Sequence, residues 1–142
     1  MYKRILVALE NGPADRSLVP HIGHLASLLH AELLLIHVAD GWVARHYHEL
    51  KLAESDEMKA DREYLQQQAA ALGAKGLQVR IHLALGNPPT EILKAAEQEQ
   101  CDLIAMTTHG HRFFGDLFLG STITAVRHKS QIPMLLVRAA AV

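Results

Sequence analysis

The chain has 142 residues, of which 49% are hydrophobic and 20% are charged, and its formal net charge at pH 7 is −1. This length corresponds to one domain, which we place at residues 1–142, and it can bury about two-thirds of the surface of the unfolded chain. The balanced charge argues against a nucleic-acid partner. No apolar run approaches the roughly 18 residues that direct insertion across a membrane requires.

The cysteine content and the N-terminal residues indicate the cellular compartment of the protein. Cys101 is the only cysteine in the sequence, so no internal disulfide can form, and we expect an inert thiol at the border of the core. Residues 1–4 carry the charge of a signal peptide, but the apolar run over residues 5–9 is too short for one and no cleavage signal follows. We therefore expect a cytoplasmic protein.

The first predicted strand and helix are separated by a turn. A continuous apolar run over residues 4–9 predicts a strand that is buried on both faces. Residues 10–13, with the sequence Glu-Asn-Gly-Pro, break this run with turn chemistry. Either Asp15 or Ser17 can cap the following helix, in which apolar residues recur at helical spacing as far as Leu29.

The second strand leads into a long polar stretch. Residues 33–38 form another continuous apolar run and predict a second buried strand. Residues 40–55 are too many for a simple connection, so we expect either a binding loop or an irregular helix there. An amphipathic helix is predicted from Glu54, and Gly73 and Gly76 end it in the manner of a helix C-cap.

The third strand differs from the others in its pattern. Residues 79–85 alternate between apolar and more polar side chains, which is typical of a strand at the edge of a sheet. A Gly-Asn-Pro-Pro turn at residues 86–89 precedes a predicted helix over residues 90–100. Residues 102–106 are continuous and apolar again, and they predict a fourth, buried strand.

A glycine-rich stretch follows the fourth strand at residues 107–122. It contains Gly110, Gly115 and Gly120, and a helix led by Ser121 is predicted directly after the last glycine. Glycine lets the backbone approach a ligand closely, and a helix start offers unpaired N–H groups at the positive end of its dipole. The combination is a candidate cradle for phosphate, although glycines in loops usually mean only tight turns.

The last predicted strand, residues 133–137, begins with a proline and is otherwise almost uniformly apolar. As the final strand it is expected at an edge of the sheet, and apolar edges invite pairing with another chain. We therefore predict a homodimer through this strand. A monomer in which a helix of the same chain covers the edge is the alternative.

Histidine is abundant, with ten residues in the chain. A metal site needs three or four converging ligands, and the sequence shows only pairs, such as the H-x-H arrangement of His109 and His111. We favour exposed or loop positions for the histidines over a zinc site.

The regular alternation of strands and helices predicts the fold class. It indicates a single doubly wound α/β domain with a five-stranded, mainly parallel sheet and helices on both faces. In such folds ligands bind beyond the carboxyl ends of the strands. The turn at residues 10–13 and the stretch at residues 107–122 both follow strand ends, so we expect them to face one crevice.

Several of these segments carry a resemblance to a known family. The chain resembles the universal stress protein family over essentially its whole length, in I-L-V-A-L at the first strand, L-L-L-I-H-V at the second and the turn G-N-P. The segments C-D-L-I-A-M-T-T-H-G, G-S-T and I-P-M-L-L-V-R match the C-terminal third of the family pattern. The resemblance implies a parallel sheet with strand order 3-2-1-4-5.

Members of this family either bind ATP or do not, and the binders look like G-x-x-G, nine residues, then G-S or G-T. In this chain Gly110 takes the second glycine position, and Gly120 with Ser121 closes the motif after nine residues. Thr107 stands at the first glycine position, where its side chain would crowd the approach of a ligand to the backbone. Glu10 stands where ATP-binding members usually carry an aspartate, so its carboxylate lies about one bond further out.

The resemblance assigns roles to the matching positions. Strand ends would hold adenine and ribose, although plain core packing explains the same apolar residues. Glycines, hydroxyl groups and Arg112 would hold the phosphates. The residues so assigned are Ala8, Leu9, Glu10, Val38, Met106, Thr107, His109, Gly110, His111, Arg112, Gly120, Ser121 and Thr122.

The function implied by the resemblance is that of an ATP-binding regulatory or partner-binding module in a stress response. The ligand would be ATP, or else ADP or AMP, with Mg²⁺ as a candidate companion. A nucleotide-free dimeric interaction module of the same family is the alternative, because of Thr107 and Glu10.

An enzyme of a related nucleotide-binding α/β group is a third hypothesis. The spacing shows no arrangement of nucleophile and base, and the lysine of a Walker loop is missing, so we expect at most slow ATP hydrolysis. The H-G-H-R form of the loop resembles stress-protein domains found beside membrane transporters, so a transporter is a candidate partner.

Overall fold

Strands and helices alternate along the residues that a computed structural model describes, which are residues 1–39, 56–109 and 120–140. The predicted binding loop or helix at residues 40–55 and most of the glycine-rich stretch lie outside these residues. The elements are β1 (Arg4–Ala8), α1 (Asp15–Leu29), β2 (Glu32–Ala39), α2 (Asp56–Gly73), β3 (Val79–Leu85), α3 (Pro88–Gln98), β4 (Leu103–Thr108), α4 (Gly120–Lys129) and β5 (Met134–Arg138).

The strands form one sheet with the order β3-β2-β1-β4-β5, and every pairing is parallel. The order implied by the family resemblance is therefore confirmed, as are the two predicted edge strands, β3 and β5. In the centre, β1 pairs with both β2 and β4, so the carboxyl ends of these three strands meet at one edge of the sheet.

Each face of the sheet carries its own buried core. On one face, Ile5 and Val7 of β1 pack with residues of α1 and α2, such as Leu18 and Leu65. On the other face, the alternate residues of the same strands pack against α3 and α4. Residues of a strand point alternately to the two faces, so a central strand covered on both sides must be apolar throughout. This requirement explains the continuous apolar runs in β1, β2 and β4.

The start of α1 differs from the predicted capping. The residue that precedes the helix is Ala14, and no side chain caps it. Asp15 is the first helical residue, and its carboxylate instead accepts the backbone N–H groups of Glu10 at 3.0 Å and Asn11 at 2.9 Å. The Ser17 hydroxyl accepts the backbone N–H of Ala140 at 3.0 Å. Both side chains accept hydrogen bonds from backbone N–H groups outside the helix, so neither of them caps α1.

Helix α3 and strand β4 also differ from their predicted limits. Asn87 precedes α3 and accepts the backbone N–H of Thr90 at 3.3 Å, while Pro88 occupies the first helical position, where a missing N–H costs nothing. Strand β4 continues beyond the predicted end through Thr107 and Thr108, because both pair with β5. Thr107 is therefore part of the sheet.

The environment of Cys101 agrees with its predicted position at the border of the core. The residue is 6% exposed and packs within the core beneath α3 and α4. Burial raises the pKa of its thiol to about 11. Little thiolate, the reactive form, is present at neutral pH. Among the helices that the structure describes, none is long and apolar enough to cross a membrane.

Candidate functional site

The predicted site residues that the structure describes lie at the carboxyl ends of β1, β2 and β4 and at the start of α4. Gly110, His111 and Arg112 lie outside the described residues. The carboxyl ends of parallel strands share one edge of the sheet, and α4 starts at that edge because it connects the parallel strands β4 and β5. The described candidates therefore gather on one side of the molecule.

A buried hydrogen-bonded pair, Glu10 and His109, joins the ends of β1 and β4. His109 Nε2 lies 2.7 Å from Glu10 Oε1 and 2.8 Å from Glu10 Oε2. The side chains of His109 and Glu10 are only 6% and 5% exposed. Because both carboxylate oxygens contact the same ring nitrogen, that nitrogen carries a proton and donates it. The pair fixes the two chain segments that enclose the predicted crevice.

The apolar candidates separate onto the two faces of the sheet. Ala8, Val38 and Met106 are fully buried and belong to the core beneath α3 and α4. Leu9 is fully buried in the core beneath α1 and α2. The first three side chains thus lie on one face of the sheet, the face that also carries α4, and none of them is exposed to solvent.

Thr107 lies on the face opposite to Met106. Leu103 and Ala105 of the same strand belong to the core beneath α1 and α2, and strand alternation places Thr107 with them. Its register partner, Val137, packs against the same core. Thr107 is fully buried, and its hydroxyl has no hydrogen-bond partner among the described parts of the chain. Its side chain therefore points to the opposite face of the sheet from Ala8, Val38 and Met106.

The first turn of α4 supplies the helix start that the glycine-rich motif predicts. Gly120 is the first helical residue, and a Cβ atom added to it would meet no atom of the described residues within 4 Å. Ser121 is exposed, whereas Thr122 is 5% exposed. A helix start presents backbone N–H groups at the positive end of its dipole, and a glycine there lets a ligand come close to the backbone, so this turn is suited to an anion.

A polar network that the sequence analysis missed lies beneath the β1–α1 turn. Asp15 is 2% exposed and accepts the Tyr64 hydroxyl at 2.6 Å, in addition to the backbone N–H groups of Glu10 and Asn11. Burial, followed by the Asp15 hydrogen bond and charge, raises the pKa of Tyr64 well above its ordinary value, which keeps the hydroxyl protonated as a donor. Tyr64 lies on α2, so this helix contacts the turn directly.

The second part of the network involves His37 and Asp61. His37 Nδ1 donates to the Leu9 carbonyl at 2.8 Å, because a carbonyl oxygen can only accept, and its Nε2 lies 3.5 Å from Asp61 Oδ1. The side-chain amide of Asn11 donates to the same Asp61 oxygen at 2.7 Å. A histidine within the otherwise apolar sequence of β2 was the available signal, since a buried polar side chain requires partners.

A second concave surface lies at the β3 edge of the sheet, apart from these strand ends. A groove of about 740 Å³ runs beside the edge strand β3, between Met58 and Arg62 of α2 and Glu91 and Lys94 of α3. Its described lining shares no residue with the predicted site. Within the described ranges, no group of three or more His, Cys, Asp or Glu side chains could hold a metal ion.

Comparison with known proteins identifies the family. The model of the universal stress protein family matches residues 1–138 of the chain. The chain belongs to the universal stress protein family. Universal stress protein MJ0577 of Methanocaldococcus jannaschii is 28% identical over 158 residues, which cover 97% of this chain and 96% of that protein. The solved structure of MJ0577 superimposes with a TM-score of 0.77 and covers 100% of this stress protein and 99% of that chain.

Two further solved structures share the fold. The universal stress protein from Archaeoglobus fulgidus in complex with dAMP is 20% identical, with a TM-score of 0.68, and the match covers 96% of this chain and 98% of that one. A universal stress protein in complex with cAMP is 16% identical, with a TM-score of 0.70 and 98% coverage of both chains. At these identities the likeness concerns the fold alone.

The buried hydroxyl of Thr107 provides a first prediction. Thr107→Val replaces an unpartnered polar group with a methyl group of similar size, so we expect the free energy of unfolding to rise by about 1 kcal/mol in urea denaturation. Thr90→Val is the matched control, because the Thr90 hydroxyl donates to Asn87 at 2.9 Å and its removal should lower stability. A loss of stability in Thr107→Val would show that the hydroxyl has a partner in solution.

The Glu10–His109 pair provides a second prediction. Removing either partner leaves the other one buried, so Glu10→Gln and His109→Gln should each cost about 3 kcal/mol, and the double variant less than the sum. We expect a coupling energy of roughly 1–3 kcal/mol from a double-mutant cycle in urea.

The exposed pair of Arg80 and Glu99, 3.1 Å apart, is the matched control for this cycle. Its coupling should stay below about 1 kcal/mol, since solvent screens both groups. Equal coupling energies in the two cycles would show that the burial of Glu10 and His109 does not strengthen their interaction.

Proposed function

We propose that this universal stress protein binds ATP at the carboxyl edge of β1, β2 and β4 and acts as a nucleotide-dependent regulatory or partner-binding module in a stress response. The observation that carries the proposal is the meeting, at one edge, of apolar strand ends and a helix start whose first residue is a glycine. Adenine requires the first feature and phosphate the second.

Different parts of the ligand would contact the apolar strand ends and the first turn of α4. Ala8, Val38 and Met106 would face the adenine and ribose. The N–H groups at Gly120, with the hydroxyl groups of Ser121 and Thr122, would face the phosphates. The remaining contacts of the proposed site would come from Leu9, Glu10, Thr107, His109, Gly110, His111 and Arg112.

The ligands of the relatives support an adenine nucleotide. The two structurally similar stress proteins described above are complexes with dAMP and cAMP. The preference for ATP over ADP or AMP rests on the spacing of the glycine motif in this chain. The carboxylates of Glu10 and Asp15 are both engaged in hydrogen bonds, so Mg²⁺ would arrive with the phosphates and not as a resident ion.

The nucleotide-free interaction module remains a second candidate, and one observation favours it. His109 contacts both oxygens of Glu10, so a nucleotide would have to compete with His109 for the carboxylate at the position of the family's usual aspartate. The orientation of Thr107 argues the other way, because its side chain does not enter the surface proposed for adenine. The two candidates therefore differ in whether the purified protein binds ATP at all.

Gly120→Ala tests the proposed site. The added methyl group meets no atom of the described residues within 4 Å, so we expect stability to be unchanged. A phosphate seated against the backbone there would be displaced, and we expect the dissociation constant for ATP in calorimetry to rise by about tenfold or more.

Gly73→Ala is the matched control for this experiment, because Gly73 ends α2 and also leaves open space for a Cβ atom. It should bind ATP like the wild type. If Gly120→Ala binds ATP with unchanged affinity, phosphate does not bind at this helix start. A flat titration of the wild type with ATP, ADP and AMP would favour the nucleotide-free module.

A homodimer through β5 is the proposed assembly for partner binding, and a membrane transporter is a candidate partner. Strand β5 is an edge of the sheet, and its Leu136 is 44% exposed. Such an edge offers unpaired backbone groups beside an apolar side chain.

We therefore expect sedimentation at micromolar concentration to show twice the monomer mass, and Leu136→Lys to shift the protein toward monomer. Leu28→Lys is the control, because Leu28 is 67% exposed on α1 and should leave the mass unchanged. A wild type that sediments as a monomer would argue against the dimer.

A further inference from the structure

We propose that Tyr64 and Asp61 of α2 are positioning residues for the candidate nucleotide site, because they hold the β1–α1 turn in the shape that lets Glu10 meet His109. This inference rests on the proposed function, since it assigns to α2 an influence on that same site. Neither residue belongs to the glycine motif or to the strand ends.

The first connection runs through Asp15. The Tyr64 hydroxyl donates to Asp15 Oδ2 at 2.6 Å, and the same oxygen accepts the backbone N–H of Asn11 at 2.9 Å. The other oxygen of Asp15 accepts the backbone N–H of Glu10 at 3.0 Å. One carboxylate thus links α2 to the backbone of the residue whose side chain contacts His109. Loss of the Tyr64 hydroxyl would leave Asp15 with fewer donors and free it to rotate.

The second connection runs through Asn11. Its backbone is in the left-handed region, with φ of 60°, which few residue types adopt readily. Its side chain donates to Asp61 Oδ1 at 2.7 Å, and that oxygen also faces His37 Nε2. His37 in turn holds the carbonyl of Leu9, the residue before Glu10. The turn is therefore held on both sides of Glu10.

The placement of these groups on α2 is consistent with a shared task. Asp61 and Tyr64 are three residues apart, so they lie on the same face of the helix. Asp61 is 7% exposed, and the next residue after Tyr64, Leu65, is fully buried in the core. The packing of Leu65 fixes the distance of α2 from the sheet, while Asp61 and Tyr64 fix the turn. Hydrogen bonds to a charged carboxylate are stronger than hydrogen bonds between neutral groups. The position of α2 therefore determines the position of the turn.

The experiment compares Tyr64→Phe and Asp61→Asn with Leu65→Val. Leu65→Val is the matched control, because it removes one methylene from the same helix, weakens the core, and leaves the polar network intact. The side-chain NMR signal of His109, assigned by its loss in His109→Gln, reports the Glu10–His109 bond without any ligand. Calorimetry with ATP and urea denaturation complete the comparison.

We expect Tyr64→Phe and Asp61→Asn to shift the His109 signal and to weaken ATP binding by about 3- to 10-fold. Leu65→Val should lower stability while leaving both the signal and the affinity as in the wild type. If the two network variants leave the His109 signal unchanged, or if Leu65→Val shifts it equally, the positioning role is overturned.

The two proposals can fail separately in this design. If the wild type binds no adenine nucleotide, the proposed function fails, while the His109 signal in the ligand-free variants still decides whether α2 positions Glu10. If ATP binds the wild type and the network variants with equal affinity, the proposed function stands and the influence of α2 on the site is overturned.

Discussion

The structure depends on the constraint that a buried polar group must find a partner. Where β1 ends, the chain leaves the sheet, and the backbone N–H groups of Glu10 and Asn11 no longer have strand partners. The carboxylate of Asp15 accepts both of them and is itself secured by Tyr64. The shape of the turn, the direction of Glu10 and the entry into α1 all follow from this one side chain.

The sequence predicted the fold well because a strand that is buried on both faces of the sheet must be apolar at successive positions. Continuous apolar runs marked β1, β2 and β4, and alternation marked β3 as an edge. The first and last residues of helices and strands were harder to predict, because they depend on contacts between distant segments. Thr107 looked like the start of a loop until pairing with Val137 placed it in β4. Asp15 looked like a helix cap because capping residues and turn-binding residues have the same chemistry.

The common location of the candidate residues could be predicted, but their contacts could not. The strand ends and the glycine spacing predict the carboxyl edge of the sheet, and the described candidates lie there. The bond between Glu10 and His109 joins residues 99 positions apart, and no local pattern predicts such a pairing. Asp61 and Tyr64 lie on a helix that was predicted from its apolar positions alone, so the contacts of these two polar side chains with the turn could not be predicted. His37, polar within an apolar strand, was the one local sign of the network.

The position of β1 in the centre of the sheet has a consequence for folding. Because β1 pairs with β4, the Glu10–His109 bond closes a loop that includes most of the chain. Closing such a loop has an entropic cost that grows with the logarithm of its length, about 4 kcal/mol for a hundred residues. Contacts of such large sequence separation form late. Chains that are incomplete or still folding would therefore lack this edge, and ligand binding there would be a property of the finished domain alone.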